Sequence, residues 1–320
     1  MSEQRNNVYD IAKCLAIVSV AAYHVEFLIF PNNYLHAFIN TFFLTLFFVI
    51  SGLLTKSYKI SQNGWLMAQV KHLLVPFISG FLLYNLTIGI LKGKVLDLSD
   101  TKSGYWFLFS LFEFYVVLWM IGKYHKTNKA VKLLLLFIPF VAVSALCSVI
   151  SYDAAGLLSL FSFRRYWLFF AYGYALTNIG KSSIIYNNKV GACATLLYLI
   201  LGIAYVVNIQ DVHNNIDFAV WFVTNLAGCH FWLFVIKKLE SVLSQKAILQ
   251  IGKNTLGIYV FHYYPLYLCT ILLGGVLCEN FICTATLFLL AVICILTLSY
   301  FLTILFKKQK FLVLLFLGKQ

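Results

Sequence analysis

The chain has 320 residues, 62% of them hydrophobic and 11% charged, and its mean hydropathy is +0.87. Soluble domains carry about 25% charged residues, so the composition excludes a soluble enzyme and points to an all-α, polytopic membrane helix bundle. The net charge of +13 would suggest nucleic acid in a soluble protein. Here basic cytoplasmic loops account for it, and no nucleic-acid partner is expected.

Ten hydrophobic segments are long enough to span a bilayer: residues 11–30, 37–55, 73–91, 105–122, 132–150, 159–178, 190–207, 218–236, 255–277 and 281–305. With the N-terminus inside, the inner segments hold 18 basic residues, from Arg5 to Lys319. The outer ones hold five: Lys92, Lys94, Lys102, Arg164 and Arg165. Cytoplasmic loops are enriched in Lys and Arg, so the expected topology is N-in and C-in, although the 92–104 loop places three lysines outside. The first segment has no small-residue cleavage site behind it and reads as a retained span, not a signal peptide. The tail at 311–318 is too short to span and reads as an interfacial or docked segment. No soluble domain of useful size fits at either end, so 1–320 is expected to be a single integral-membrane domain. The eight cysteines form no CxxC and no metal-ligand cluster, and no metal or bound cofactor is expected. Cys278 and Cys283 flank a short loop and are the one spacing that could pair.

Lys13 and His24 lie eleven residues apart in the first segment, IAKCLAIVSVAAYHVEFLIF. That is about three helical turns plus roughly 20°, or ~16 Å along one face. Ionisable groups within a span are costly and usually face a protein interior or a water-filled cavity. The pair therefore suggests a polar stripe entering from the cytosol. His24 can take a proton from a hydroxyl; the alternative is a histidine hydrogen-bonded to a neighbouring helix. Asp10, one turn before Lys13, is its expected partner. Glu26 lies about 200° from His24 and is expected at the outer interface.

Further along, Lys71 and His72 open the third segment, either snorkelling at the interface or meeting an anionic ligand. Glu113, in the middle of the fourth, needs a partner or a proton and could orient a histidine or pair with a cation. Arg164 and Arg165 suit bidentate recognition of phosphate or carboxylate, or interfacial anchoring. In the ninth, Gly252-Lys253-Asn254-Thr255 reads as a turn and helix N-cap. A lysine beside a helix N-terminus favours an anion. His262 follows, as a second candidate for chemistry or as a core histidine. Ser51, Asn254 and Tyr259 are candidate oxyanion donors.

Taken together, YDIAKCLAIVSVAAYH (9–24), FFVISG (47–52), KHLLVPF (71–77), YWFLFSLF (105–112), FFAYGYAL (169–176) and GKNTLGIYVFH (252–262) resemble, in order and spacing, the acyltransferase-3 family of bacterial integral-membrane acyltransferases. The resemblance covers almost the whole chain. Lys13 stands where well-described members have arginine, Lys71–His72 replaces a basic pair, and Thr255 replaces serine. The resemblance implies transfer of an acyl group, commonly acetyl from cytoplasmic acetyl-CoA as co-substrate, to a hydroxyl of a cell-surface glycan or its lipid-linked precursor. It also implies a multi-pass location in the bacterial inner membrane. His24 would be the base or the acylated group, with Glu113 and His262 as further catalytic candidates. Lys13, Lys71, His72, Lys253 and Asn254 would meet the donor, and Ser51, Arg164, Arg165 and Tyr259 the acceptor or the frame. A secondary transporter or flippase for an anionic or lipid-linked substrate is the competing reading of the same polar stripe. The absence of a broken-helix pair in matching halves of the sequence counts against it.

Overall fold

A computed structural model of the protein describes residues 7–93, 101–122, 128–209, 212, 214–276 and 280–318. Every regular element among them is helical. The main ones are α1 (Asn7–Leu28), α2 (Asn33–Leu54, interrupted between Ile39 and Phe43), α3 (Trp65–Gly89), α4 (Trp106–Gly122), α5 (Lys129–Cys147) and α6 (Leu160–Asn178). They are followed by α7 (Asn188–Ile209), α8 (Asn215–Lys238), α9 (Lys246–Lys253), α10 (Thr255–Phe261), α11 (Tyr263–Leu273), α12 (Phe281–Phe306) and α13 (Lys310–Leu317).

A helix, or in the ninth case a bent pair, occupies each of the ten expected segments. Seven of these helices are long and apolar enough to cross a membrane, and α10 with α11 makes an eighth if the bent pair is one span. The other two differ for physical reasons. Helix α4 is apolar but only 17 residues long, and α6 carries Arg164 and Arg165 near its start.

The chain divides into two compact units, Met1–Phe47 with Ser182–Leu302, and Phe48–Lys181 with Thr303–Gln320. In the first, α1 lies against α8, α9, α10 and α11, and α7 packs along α8. Ala21 and Val25 of α1 close a core with Leu266 and Cys269 of α11 and Ala291, Val292 and Ile295 of α12. Residues 21, 24 and 25 share one helical face, so this core also sets the direction of His24.

In the second unit, Gly52 of α2 and Gly173 of α6 bring two backbones so close that a Cβ on either would overlap the other chain. Small residues permit such crossings in membrane bundles, where close packing holds helices together. The crossing is fastened by Thr177 Oγ1 donating to the Leu53 carbonyl (2.7 Å) and Asn178 Nδ2 donating to the Thr55 carbonyl (3.0 Å). Lys102, expected in an outer loop, is buried and donates to the Gly156 carbonyl at 2.9 Å. One of the three lysines on the unexpected side thus spends its charge inside the protein. Lys94 lies outside the described residues. The tail forms the short helix α13 and docks on α3, where the His72 ring bonds the Gly318 carbonyl at 3.1 Å. Cys278 is also outside the described residues, and the seven described cysteines are free thiols.

Candidate active site

The candidate site is built on α1 and the α9–α10–α11 segment, all within the first unit. Helix α9 reaches α1 through Gly252, whose backbone abuts the Asp10 carbonyl so tightly that no Cβ would fit. Asp10 is itself buried and pairs with Lys13 at 2.9 Å, as expected from their one-turn spacing. Lys253 follows Gly252 and is exposed. Both lysines therefore belong to the N-terminal end of α1.

Asn254 stands at the N-cap position of α10, but its side chain does not cap that helix. Its Nδ2 turns back and donates to the Gln250 carbonyl at 2.7 Å, supplying a donor to the end of α9, where carbonyls lack intrahelical partners. The expected side-chain cap is thus replaced by a bond that ties two short helices together.

The second bend lies eight residues on. Helices α10 and α11 meet at His262 with an angle of 46°. Pro265 is the cause: it has no N–H for the Phe261 carbonyl, and its ring crowds that group. The bend places His262 beside His24 of α1, with ring centroids 5.2 Å apart. His262 is 1% exposed, and its Nδ1 donates to the Tyr259 carbonyl. A carbonyl only accepts, so the proton is fixed on Nδ1. In the neutral ring Nε2 then keeps its lone pair, and this buried atom has no hydrogen-bond partner among the described residues. Tyr263, whose ring centroid is 3.9 Å from that of His262, lies 3.4 Å through its hydroxyl from Nε2 of the half-buried His24. That distance is long for a hydrogen bond, so His24 Nε2 is only loosely held. Tyr259 is buried with its ring 5.5 Å from His262.

The structure therefore joins His24, His262 and Tyr259 and adds Tyr263, which sequence reasoning missed. Lys13 and His24 do share α1. Between them, however, Ile17, Val20 and Ala21 are apolar and buried, so the stripe is polar at its ends and not along its length. Ser51, Lys71, His72, Glu113, Arg164 and Arg165 belong to the second unit. Among these, Arg164 is exposed, the Arg165 guanidinium lies 5.8 Å from the Tyr166 ring, and His72 holds the C-terminal tail. Glu113 is half-buried in the middle of α4.

Glu26, expected at the outer interface, is closed off from solvent. It is buried at 3% exposure, where one carboxylate oxygen meets His36 Nδ1 at 2.7 Å and the other accepts the Asn32 backbone N–H at 2.8 Å. The start of α2 folds back over α1 and covers the carboxylate. His36 carried no helical-face signal of its own, because this pairing exists only once the turn between the two helices is made.

No group of three or more potential metal ligands occurs among the described residues. Comparison with curated proteins and with solved structures found no match to the chain. The family model describing an acyltransferase domain matches residues 6–308. Because that match runs through both units and includes α1, the bend at His262 and every helix between, the chain belongs to the acyltransferase-3 family.

Proposed function

We propose that this protein is a membrane-bound O-acyltransferase that moves acetyl from cytoplasmic acetyl-CoA to a hydroxyl of a cell-surface polysaccharide or its lipid-linked precursor, in the bacterial inner membrane. Membership of an acyltransferase family supports the reaction class. The observation that carries the mechanism is the loosely held imidazole of His24, set between the Tyr263 hydroxyl and the His262 ring inside a membrane-helix bundle.

His24 acts as general base. In the resting protein Nε2 lies 3.4 Å from the Tyr263 hydroxyl; an acceptor hydroxyl takes that place and gives its proton to Nε2. Its oxygen attacks the thioester carbonyl, the new C–O bond forms, the C–S bond breaks, and the proton passes from His24 to the departing thiolate. Base catalysis of this type is worth about 10² to 10⁴ in rate. Lys13 and Lys253, at the opposite end of α1 from His24, match the anionic part of the donor. Tyr263 and His262 are positioning residues: Tyr263 aims the His24 ring until the acceptor binds, and the Nδ1–H of His262 bonds the Tyr259 carbonyl across the bend.

The experiment is turnover of radiolabelled acetyl-CoA by purified wild type and His24→Ala in detergent or nanodiscs. Thioester loss in wild type alone supports the assignment, and label retained on the protein would make His24 an acyl carrier instead of a base. Full turnover by His24→Ala removes His24 from the chemistry. The broken span at His262 also suits a transporter, since broken helices line substrate sites in such folds. Substrate flux in proteoliposomes without thioester consumption would establish that second reading.

A further inference from the structure

Two imidazoles lie side by side at the bend of the first unit, His24 of α1 and His262, with ring centroids 5.2 Å apart and planes inclined by 31°. The reaction proposed above uses only Nε2 of His24. The remaining ring nitrogens carry a pattern of their own. Nδ1 of His262 is protonated, because it bonds the Tyr259 carbonyl and a carbonyl only accepts. Nε2 of His262 is then a lone pair, buried and without a partner among the described residues. Buried acceptors are nearly always satisfied, and one left open calls for an explanation.

The needs of His24 supply one. A neutral imidazole has one N–H and one lone pair. To take a proton on Nε2, His24 must hold its own proton on Nδ1. Which ring nitrogen is protonated is set by the hydrogen bond that the other makes, so the base needs an acceptor for Nδ1–H. The Tyr263 hydroxyl does not serve, because it stands at the other nitrogen, 3.4 Å from Nε2. The open lone pair of His262 is on the neighbouring ring. A carboxylate in that place would bring a charge into the membrane bundle at high cost. A second imidazole of fixed tautomer accepts the same hydrogen without one.

We propose that His262 fixes the tautomer of His24. A chain runs from the Tyr259 carbonyl through H–Nδ1 and Nε2 of His262 to H–Nδ1 of His24, and leaves His24 Nε2 unprotonated. In the resting protein the rings pack without a formed bond, and the nearby lone pair already favours Nδ1–H on His24. The bond closes when the acceptor displaces Tyr263, as catalytic hydrogen bonds often tighten only in the loaded site. When the acceptor hydroxyl gives its proton to His24 Nε2, the lone pair of His262 meets the charge on the ring. No second proton moves, and the one on Nε2 leaves with the departing thiol. His262 is thus a positioning residue that acts through His24. The inference rests on the reading of His24 as the general base.

The test is nitrogen NMR of full-length protein labelled at its histidine rings, in nanodiscs, beside turnover of radiolabelled acetyl-CoA. The proteins are wild type, His24→Ala, His262→Asn and His262→Gln, and the His24 resonances are those missing from His24→Ala. Asparagine keeps an amide N–H for the Tyr259 carbonyl but has nothing at the Nε2 position, whereas glutamine reaches it with a carbonyl oxygen. Wild-type His24 is expected as the Nδ1–H tautomer. His262→Asn should move it toward Nε2–H and lower kcat about 10- to 100-fold, the worth of one hydrogen bond to a charged group, with KM for acetyl-CoA unchanged. His262→Gln should recover most of both. Wild-type His24 with its proton on Nε2 overturns the inference, whatever the variants do. So does a His262→Asn protein that loses turnover with the His24 tautomer unchanged, since a merely structural role has that signature. Loss of turnover in His24→Ala with normal turnover in His262→Asn overturns this inference alone. Full turnover by His24→Ala overturns the reading of the base as well.

Discussion

Helix α1 carries one end of two histidine interactions that differ in kind. His36 is gripped by the buried Glu26 carboxylate at 2.7 Å, and the same carboxylate also holds the Asn32 backbone. His24, two residues earlier on the helix than Glu26, meets a hydroxyl at the long distance of 3.4 Å and lies beside a second imidazole. A buried carboxylate with two short partners is a fastening, because removing either partner strands a charge. An imidazole with a long, neutral hydrogen bond exchanges it for a substrate at little cost. The comparison teaches that the candidate for chemistry on this helix is the histidine the fold holds less tightly.

The largest expected effect tests that assignment. His24→Ala should lower acyl transfer by about 10² to 10⁴ while its thermal midpoint stays near wild type, because the hydrogen bond to Tyr263 is long and the His24 ring only half-buried. Normal folding with normal turnover would break the comparison. Glu26→Ala should do the reverse. Glu26 is buried but the His36 side chain is 27% exposed, so the variant loses hydrogen bonds to a carboxylate, at about 1.5 to 3 kcal/mol, without stranding a fully buried charge. Thermal melting in detergent should show the destabilisation, and activity per folded molecule at low temperature should survive. A Glu26→Ala protein of wild-type stability but without turnover would move the chemistry to the His36 side.

A smaller change sharpens the comparison. Tyr263→Phe removes the hydroxyl that aims His24 and keeps the ring packed against His262. One neutral hydrogen bond contributes about 0.5 to 1.5 kcal/mol, and the acceptor displaces this one, so KM for the acceptor should fall about 2- to 10-fold with kcat near wild type and KM for acetyl-CoA unchanged. A fall in kcat as deep as that of His24→Ala would make the Tyr263 hydroxyl part of the reaction itself.

Hydropathy alone located every long helical segment, because a chain this apolar has few other ways to satisfy its backbone in lipid. It also placed Lys13, Asp10 and His24 on α1. What it missed depends on pairings far apart in sequence or on breaks within helices. Tyr263 meets His24 across 239 positions. The 46° bend at His262 needs Pro265 and two short helices where hydropathy shows one span. Helical periodicity correctly put Glu26 on a different face from His24, but its burial comes from the turn that folds His36 over it. Asn254 looked like an N-cap because residue preference favours asparagine there. The carbonyls left open at the end of α9 took its amide instead.

The smallest expected effect concerns the other end of α1. Lys13 has two possible duties, to neutralise the buried Asp10 at 2.9 Å and to meet the anionic donor. Lys13→Ala disturbs both, since it strands a carboxylate that is almost fully buried, and so a loss of activity in that variant would be ambiguous. Lys13→Arg separates them. A guanidinium keeps the pair with Asp10 and adds the planar fork that grips phosphate in a bidentate way. If Lys13 meets the donor, KM for acetyl-CoA should drop a few-fold with kcat and melting temperature unchanged. If Lys13 serves only Asp10, Lys13→Arg should leave KM where it was, and the basic end of α1 would then be part of the frame that Gly252 packs against and not part of the donor path.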